Sequence, residues 1–351
     1  MESITVLVTR GDLVESVHQV DAVVADAEGG VLAACGQAGL LTYWRSAAKP
    51  FQALPLIRKA AEEGIAFSDE EIAVMCASHS GEPRHVQVVA GLLARFGLGE
   101  EHLQCGAHPP YHEPSAVALW RSGESPRRIH NNCSGKHAGM LIFAKLLGAD
   151  LSTYLDPGHP VQQAILDAVE LFTAELRREI AVSVDGCGAP VFGLALSGMA
   201  TAYARLAASA PAGPAAGLFD EATAGAARRI VEAMTSQPFL VAGTGRVCTA
   251  LMEHLGPRVV AKGGAEGIYC VGLPEMGLGI ALKARDGAGR ATGPAILEIL
   301  AALGVLDQAG PAAEALEAYR SPEVRNVEGR PVGRIYAQLP PGFDYQLRLL
   351  R

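Results

Sequence analysis

The stretch "RSAAKP", residues 45–50, falls where short strand-like segments give way to a helical pattern. Its serine and lysine stand three apart, which on a first helical turn puts the Ser46 hydroxyl and the Lys49 ammonium on one face, within hydrogen-bonding reach. Lysine is scarce: the chain has 6 Lys against 23 Arg, so arginine carries the ordinary surface charge. A serine is a poor nucleophile until something takes its proton, and a neutral lysine amine can do so. At an ordinary pKa of about 10.4, only roughly one lysine in a thousand is neutral near pH 7.4. Burial and a neighbouring cation must lower that value by about 2–3 units to make a useful base. The hydroxyl also lies near the positive end of a helix, where backbone N–H groups stabilise an oxyanion. Taken alone, the pair reads more readily as a helix cap followed by a solvated first-turn lysine, so the neighbouring stretches must decide.

Working outward, residues 3–36 read as a meander: "ITVLV", "VESVHQV", "DAVVAD" and "GVLAAC" are short, Val-rich and separated by turn residues. From Ser46 to about Gly148 the pattern is mostly helical. "SDEE", residues 68–71, is a capping box, and "HVQVVAGLLARFG" and "HAGMLIFAKLLG" end at Gly97 and Gly148, the usual helix stop. "DPGHPVQQAILDAVELF" predicts a helix capped by Asp156, with Pro157 at its first position. A short strand, "AVSVDG", precedes further Ala-rich helices up to about Met234. Then "RVVAKGG", "GIYCVGL", "GLGIALKARDG" and "GRIYAQL" return to strands, with the helix "PAILEILAAL" before the last. Residues 208–217, "ASAPAGPAAG", form a low-complexity linker too short for a domain boundary. Strands at both ends with helices between predict an α/β (α+β) fold, one sheet assembled from the two termini and flanked by helices. A helical lobe is inserted across it. The expected layout is one two-lobed catalytic domain over 1–351, its sheet lobe about 1–60 and 240–351 and its helical lobe about 61–239.

A chain of 351 residues can bury a large core, and 49% hydrophobic with 19% charged residues is too apolar for disorder. The net charge of −8 argues against nucleic acid, whose phosphates need a basic face. The start "MESITVLVTRGD" has neither a basic n-region nor a signal-length apolar stretch, and no run of 18 apolar residues follows. A cytoplasmic protein with no membrane partner is the expectation. Seven widely spread cysteines then read as thiols, metal ligands or nucleophiles rather than a disulfide framework.

Three stretches give the Ser-x-x-Lys pair its setting. "CASHSGE" (76–82) packs small and polar residues where another helix begins. "NNCSGKHAGM" (131–140) puts Cys133, Lys136 and His137 on a glycine-containing turn leading into a helix. "KGGAEG" (262–267) ends a strand with a lysine and two glycines, so backbone can approach a ligand closely. Together with "DGCGAP" (185–190), these stretches resemble the Rhizobium-type L-asparaginases, the asparaginase II family, related in fold to serine β-lactamases and glutaminases. The resemblance runs from "TRGDLVESVHQVDAVVAD" to "GIALKARDG". It implies a β-lactamase/glutaminase-like fold and a serine amidohydrolase that converts L-asparagine to L-aspartate and ammonia, with no organic cofactor. A homodimer is implied too. Two Ser–Lys tandems are implied, Ser46 with Lys49 and Ser78 with Lys262, Ser46 being the nucleophile and Lys49 its base. Two lysines held close depress each other's pKa, which makes such a pair of tandems physically sensible. Ser80 competes for the Ser78 role, although a helix cap also explains it.

The resemblance further implies a zinc site at Cys133, Lys136 and Cys187. Thiolates suit Zn²⁺, whereas a lysine must first lose its proton. Residues alone make buried thiols the default, and Cys35, Cys76, Cys105, Cys248 and Cys270 are expected in the core. A free amino acid presents a carboxylate and an ammonium, so its site needs both a cation or N–H cluster and a carboxylate. Arg45, His79, Asn132 and His137 are candidates for the first, Asp185 and Glu266 for the second, and the backbone at Gly263 and Gly264 is expected to line the substrate. His108 and His112 in "GAHPPYHEP" look like a metal cluster, but the prolines predict an irregular loop. Two rivals share some of these features. A β-lactamase or penicillin-binding relative would have Ser-x-Asn and Lys-Thr/Ser-Gly, where this chain has Ser78-His79-Ser80 and Lys262-Gly263-Gly264. A non-catalytic amino-acid or zinc-binding protein would keep the cleft without the tandems.

Overall fold

The computed structural model describes residues 2–210, 213 and 217–351, so half of the expected linker 208–217 lies outside the described residues. Eight strands form one antiparallel sheet. β1 (Ile4–Arg10), β2 (Leu13–Asp26) and β3 (Val31–Cys35) come from the N-terminus, ahead of a short β4 (Leu41–Tyr43). β5 (Ala181–Val184) and β6 (Pro190–Ala195) pair with β4 in a separate three-stranded sheet, order β4-β6-β5. β7 (Val260–Gly263), β8 (Ile268–Leu273), β9 (Leu278–Ala284), β10 (Glu323–Arg325) and β11 (Pro331–Gln338) complete the large one. Its order is β10-β11-β1-β2-β9-β8-β7, with β3 on β2. The expected α+β plan, a sheet built from both termini, is what forms.

Two local expectations change. "VESVHQV" and "DAVVAD" are one 14-residue strand, not two. Its outer edge pairs first with β1 and then with β3, while β9 takes residues 20–26 on the other edge. The polar Asp21 at their junction is fully buried, held by Arg285 at 3.1 Å and by the Ser3 hydroxyl at 2.6 Å. The helix expected at Asp156 begins instead at Pro160. Asp156–Gly158 make a turn, and the His159 ring accepts the Val161 N–H at 3.2 Å, so histidine is the cap. The capping box at Ser68 and Glu71 forms as expected, with reciprocal bonds of 3.2 and 2.9 Å.

β8 and β9 are buried on both faces, which is why they read as continuous apolar runs. The helix Leu196–Ala208 crosses one face so closely that a Cβ on Gly279 would stand 2.0 Å from the Ala200 carbonyl oxygen. The helix Thr292–Ala302 packs on β1, β8, β9 and β11. The helix Lys49–Glu62 leaves the sheet and packs against Ser134–Leu146, Pro160–Thr173 and Glu221–Ser236. That helical layer is joined just as tightly: a Cβ on Gly135 would lie 2.1 Å from the Val74 carbonyl oxygen. Gly135→Ala is therefore expected to cost about 1–3 kcal/mol or more, read as a lowered melting temperature.

Candidate active site

The turn Arg45–Ala48 is a 3₁₀ turn, and the α-helix starts at Lys49 with Pro50 in its first turn, where a missing N–H costs nothing. Trp44 is fully buried, stacked on Phe51 at 4.7 Å, and the Tyr203 hydroxyl donates to the Ala47 carbonyl at 2.8 Å. Arg45 has φ of 52°, the left-handed region that non-glycine residues avoid. Such backbone strain, of order 1–3 kcal/mol, persists only where the surroundings impose it. A Cβ on Gly264 would meet the Trp44 carbonyl oxygen at 3.1 Å, so that glycine lets the end of β7 close on this turn. Ser46 caps no helix; neither the 3₁₀ turn nor the α-helix has a side-chain cap bond.

The lysines do not pair as the spacing predicted. Lys49, 1% exposed, directs its Nζ to the Ala77 carbonyl, to Ser78 Oγ at 2.9 Å and to the Asn132 carbonyl at 3.4 Å. Among the described residues no side-chain hydrogen bond joins its Nζ to the Ser46 hydroxyl; only the Lys49 backbone N–H reaches the Ser46 carbonyl. Lys262 Nζ also lies 2.9 Å from Ser78 Oγ and donates to the Gly263 carbonyl at 2.6 Å. Ser78 thus bridges both lysines. Burial pushes the Lys262 pKa down to about 7; the Cys248 charge opposes this, while the Lys49 and Arg246 cations assist it. At that value an appreciable share of Lys262 is neutral near pH 7, and the Ser78 hydroxyl can then donate to it while accepting from Lys49. Ser80 is committed elsewhere, donating to the Ala242 carbonyl at 2.8 Å.

Ser46, Ser78, Asn132, Cys248, Lys262, Gly263 and Gly264 share the walls of one cavity of about 390 Å³. The Gly263 and Gly264 amides are already engaged, by Cys248 Sγ at 3.1 Å and the Ile268 carbonyl at 2.8 Å, so these glycines offer proximity rather than donors. Asn132 is held by His108, whose Nε2 accepts the Asn132 N–H at 3.0 Å. His108 stacks on Tyr111, so its loop forms a wall of the cavity.

Five of the expected substrate contacts sit differently. His79 is fully buried; its Nε2 pairs with Ser134 Oγ at 2.9 Å and its Nδ1 accepts the Gly81 N–H at 3.2 Å, leaving nothing for a substrate. His137 is buried with Nδ1 2.6 Å from the Tyr154 hydroxyl. Both histidines position the turns that carry Ser78 and Lys136. Glu266 is exposed, also left-handed at φ of 60°, and packs on the Gly287 turn outside the cavity lining. Arg45 and Asp185 pair with each other at 2.9 Å, so the cation of one half-site neutralises the carboxylate of the other.

Cys133, Lys136 and Cys187 do come together. Lys136 Nζ donates to Cys187 Sγ at 3.0 Å, and all three side chains are buried. A hydrogen bond from the Cys133 thiol holds Cys187 far below an ordinary thiol, against the opposing effect of burial, and the Lys136 charge adds to it. Burial would lower Lys136, but the Cys187 and Cys133 charges outweigh it and hold the ammonium high. Among the described residues no three His, Cys, Asp or Glu side chains converge, so this pocket reaches three metal donors only with the lysine amine. Only once Cys133 and Lys136 give up their protons do two thiolates and an amine form a soft set that fits Zn²⁺. Elsewhere, burial raises Cys35, Cys76, Cys105 and Cys270 to about 12, as protonated core thiols. Cys248 is buried in the core as expected but also borders the cavity, where the Gly263 N–H and the Tyr269 hydroxyl, at 3.2 Å, both approach its sulfur.

Arg246, Tyr111, Tyr269, Gly289 and Thr292 also line the cavity, and none stood out in the sequence. The one local signal was the glycine pair of "GTGR" (243–246) just before a helix.

The family described as L-asparaginase II matches residues 6–337. No curated protein matches the sequence. Among solved structures, a β-lactamase from Mycobacterium bovis is 16% identical with a TM-score of 0.42, covering 82% of this chain and 95% of that one. A probable glutaminase from Bacillus subtilis complexed with 6-diazo-5-oxo-L-norleucine is 12% identical, with a TM-score of 0.36 over 81% and 83% of the two chains. A structure of Mglu is 15% identical, with a TM-score of 0.33 over 86% of this chain and 65% of that one. Likeness at this level carries no argument for this chain. The match over residues 6–337 spans both serines, both lysines and the cysteine–lysine cluster, and by it the chain belongs to the L-asparaginase II family.

Proposed function

We propose that this member of the family is an L-asparaginase that hydrolyses the side-chain amide of L-asparagine through a serine. The observation that carries the reading is the bridge of Ser78 between Lys49 and Lys262, each 2.9 Å away, beside Ser46 in one cavity. Ser46 Oγ, unbonded among the described residues and half-buried in the cavity wall, attacks the amide carbon. Its proton passes through Ser78 to Lys262, the lysine that burial brings to about 7. Lys49 is a donor that holds Ser78 in place, so the role of base, which the resemblance gave to Lys49, is assigned to Lys262. The C–N bond breaks as the relay returns a proton to the departing ammonia. Water then hydrolyses the Ser46 ester, releasing L-aspartate and regenerating the hydroxyl.

A second reading has Ser78 itself as nucleophile, favoured by its direct contact with the neutral amine. Trapping with a diazoketone analogue of asparagine, followed by peptide mapping, separates the two. Label on Ser46 supports the first reading and label on Ser78 the second. Ammonia release from L-asparagine, L-glutamine and a β-lactam, compared as kcat/KM, fixes the substrate class; no release from asparagine would reject the asparaginase reading. The rise of kcat/KM with pH should have its midpoint near 7, because the amine is active in its deprotonated form.

Zinc, if bound, would be held by Cys133, Lys136 and Cys187. When bound it would supply a fixed positive centre in the cleft. The Lys136–Cys187 contact ties the helix Ser134–Leu146, next to Asn132, to the loop that holds Asp185 and so orients Arg45. Protein purified without a polyhistidine tag is expected to contain about one Zn per chain, and Cys187→Ser to lower that content sharply. Metal-free wild-type protein, indifferent to chelator and to added zinc, would remove the site.

A further inference from the structure

Resting on the asparaginase reading, we propose that Arg246 is the residue that binds the α-carboxylate of the substrate and so sets specificity at the mouth of the cavity. Arg246 lines the cavity, is exposed, and its guanidinium has no hydrogen-bond or ion-pair partner among the described residues. Among the described residues no acidic side chain lines the cavity, whereas Arg246 and, in its protonated form, Lys262 do. A guanidinium facing such a space is electrostatically uncompensated, and an anion entering that space relieves it. The carboxylate that might have answered Arg246 is already committed. Glu82 is buried, its Oε1 accepting the Thr244 N–H and its Oε2 the Thr244 hydroxyl, each at 2.8 Å.

That clamp also fixes where Arg246 stands. Gly243 has φ of 112°, and a Cβ there would collide with Glu82 Oε1 at 2.5 Å, so only glycine lets the loop seat on this carboxylate. The loop then delivers Arg246 as the residue before the helix Val247–Leu255, whose first residues, Val247 and Cys248, face the same cavity. Arg45, the cation favoured by the sequence, is taken by Asp185. A planar guanidinium with two parallel N–H donors suits a carboxylate better than the point charge of Lys262, which the proton relay requires.

The test compares wild type, Arg246→Ala and Arg246→Lys by calorimetric binding of two ligands, L-aspartate and β-alanine, the latter lacking the α-carboxylate. Arg246→Ala is expected to weaken L-aspartate binding tenfold or more and to leave β-alanine unchanged, with Arg246→Lys in between. In turnover assays the loss should fall mainly on KM for L-asparagine. Equal L-aspartate affinity in wild type and Arg246→Ala, a parallel loss for both ligands, or no binding of L-aspartate by wild type overturns the assignment. Selective loss of L-aspartate binding in a protein that releases no ammonia from asparagine keeps the carboxylate site and rejects the asparaginase reading instead.

Discussion

Ser46→Ala is expected to lower asparagine turnover by about 10³-fold or more, roughly 4 kcal/mol of transition-state stabilisation, with an almost unchanged melting temperature. The magnitude follows from its proposed role: without that oxygen there is no acyl-enzyme, and the lysines have no proton to accept. The small stability effect follows from its surroundings. Ser46 caps neither the 3₁₀ turn nor the helix that begins at Lys49, and its hydroxyl has no bond among the described residues. Had it been a cap, alanine would cost about 0.5–2 kcal/mol and leave catalysis intact in the folded fraction. Turnover per folded molecule, with a melting curve beside it, decides. Near-normal turnover in Ser46→Ala, with the diazoketone label found on Ser78, would transfer the nucleophile to Ser78.

Lys262→Met is expected to cut kcat by about 10²–10⁴-fold, the usual contribution of a positioned base. It should also raise the melting temperature at pH 7. Burial lowers the folded-state pKa of Lys262 from 10.5 to about 7. Between those values the unfolded chain holds more protons than the folded one, so the folded state gains stability as pH rises and loses it as pH falls toward 7. Methionine, of similar length and without charge, removes that penalty. A loss of activity together with a gain of stability is the signature of a group kept for chemistry rather than for folding. Equal melting temperatures for wild type and variant across pH 7–10 would contradict a depressed Lys262.

Much of this was set by local chemistry. The strands at both ends, the apolar runs of β8 and β9, the capping box at Ser68 and the glycine stops depend on neighbours within a few residues, so they are legible along the chain. The same holds for "RSAAKP" and "KGGAEG" as places where polar chemistry meets tight backbone. What the sequence could not settle is which groups meet. Lys49 and Ser78 are 29 positions apart, and Lys262 and Ser78 are 184 apart. Spacing of three suggested a Ser46–Lys49 bond, but the 3₁₀ turn and the pull of the Ala77 and Asn132 carbonyls carry the lysine to the other serine. That "VESVHQV" and "DAVVAD" are one strand was hidden because the partner that lets Asp21 be buried between them, Arg285, lies 264 positions away. His79 and Asp185 looked available to substrate because Ser134 and Arg45, which occupy them, lie 55 and 140 positions away in sequence. Arg246 was hidden for the opposite reason. An arginine is unremarkable among 23 until folding places it in a cavity with a second cation and no carboxylate. Local propensity fixed the elements; long-range packing and desolvation decided which side chains are consumed by the structure and which remain for a ligand.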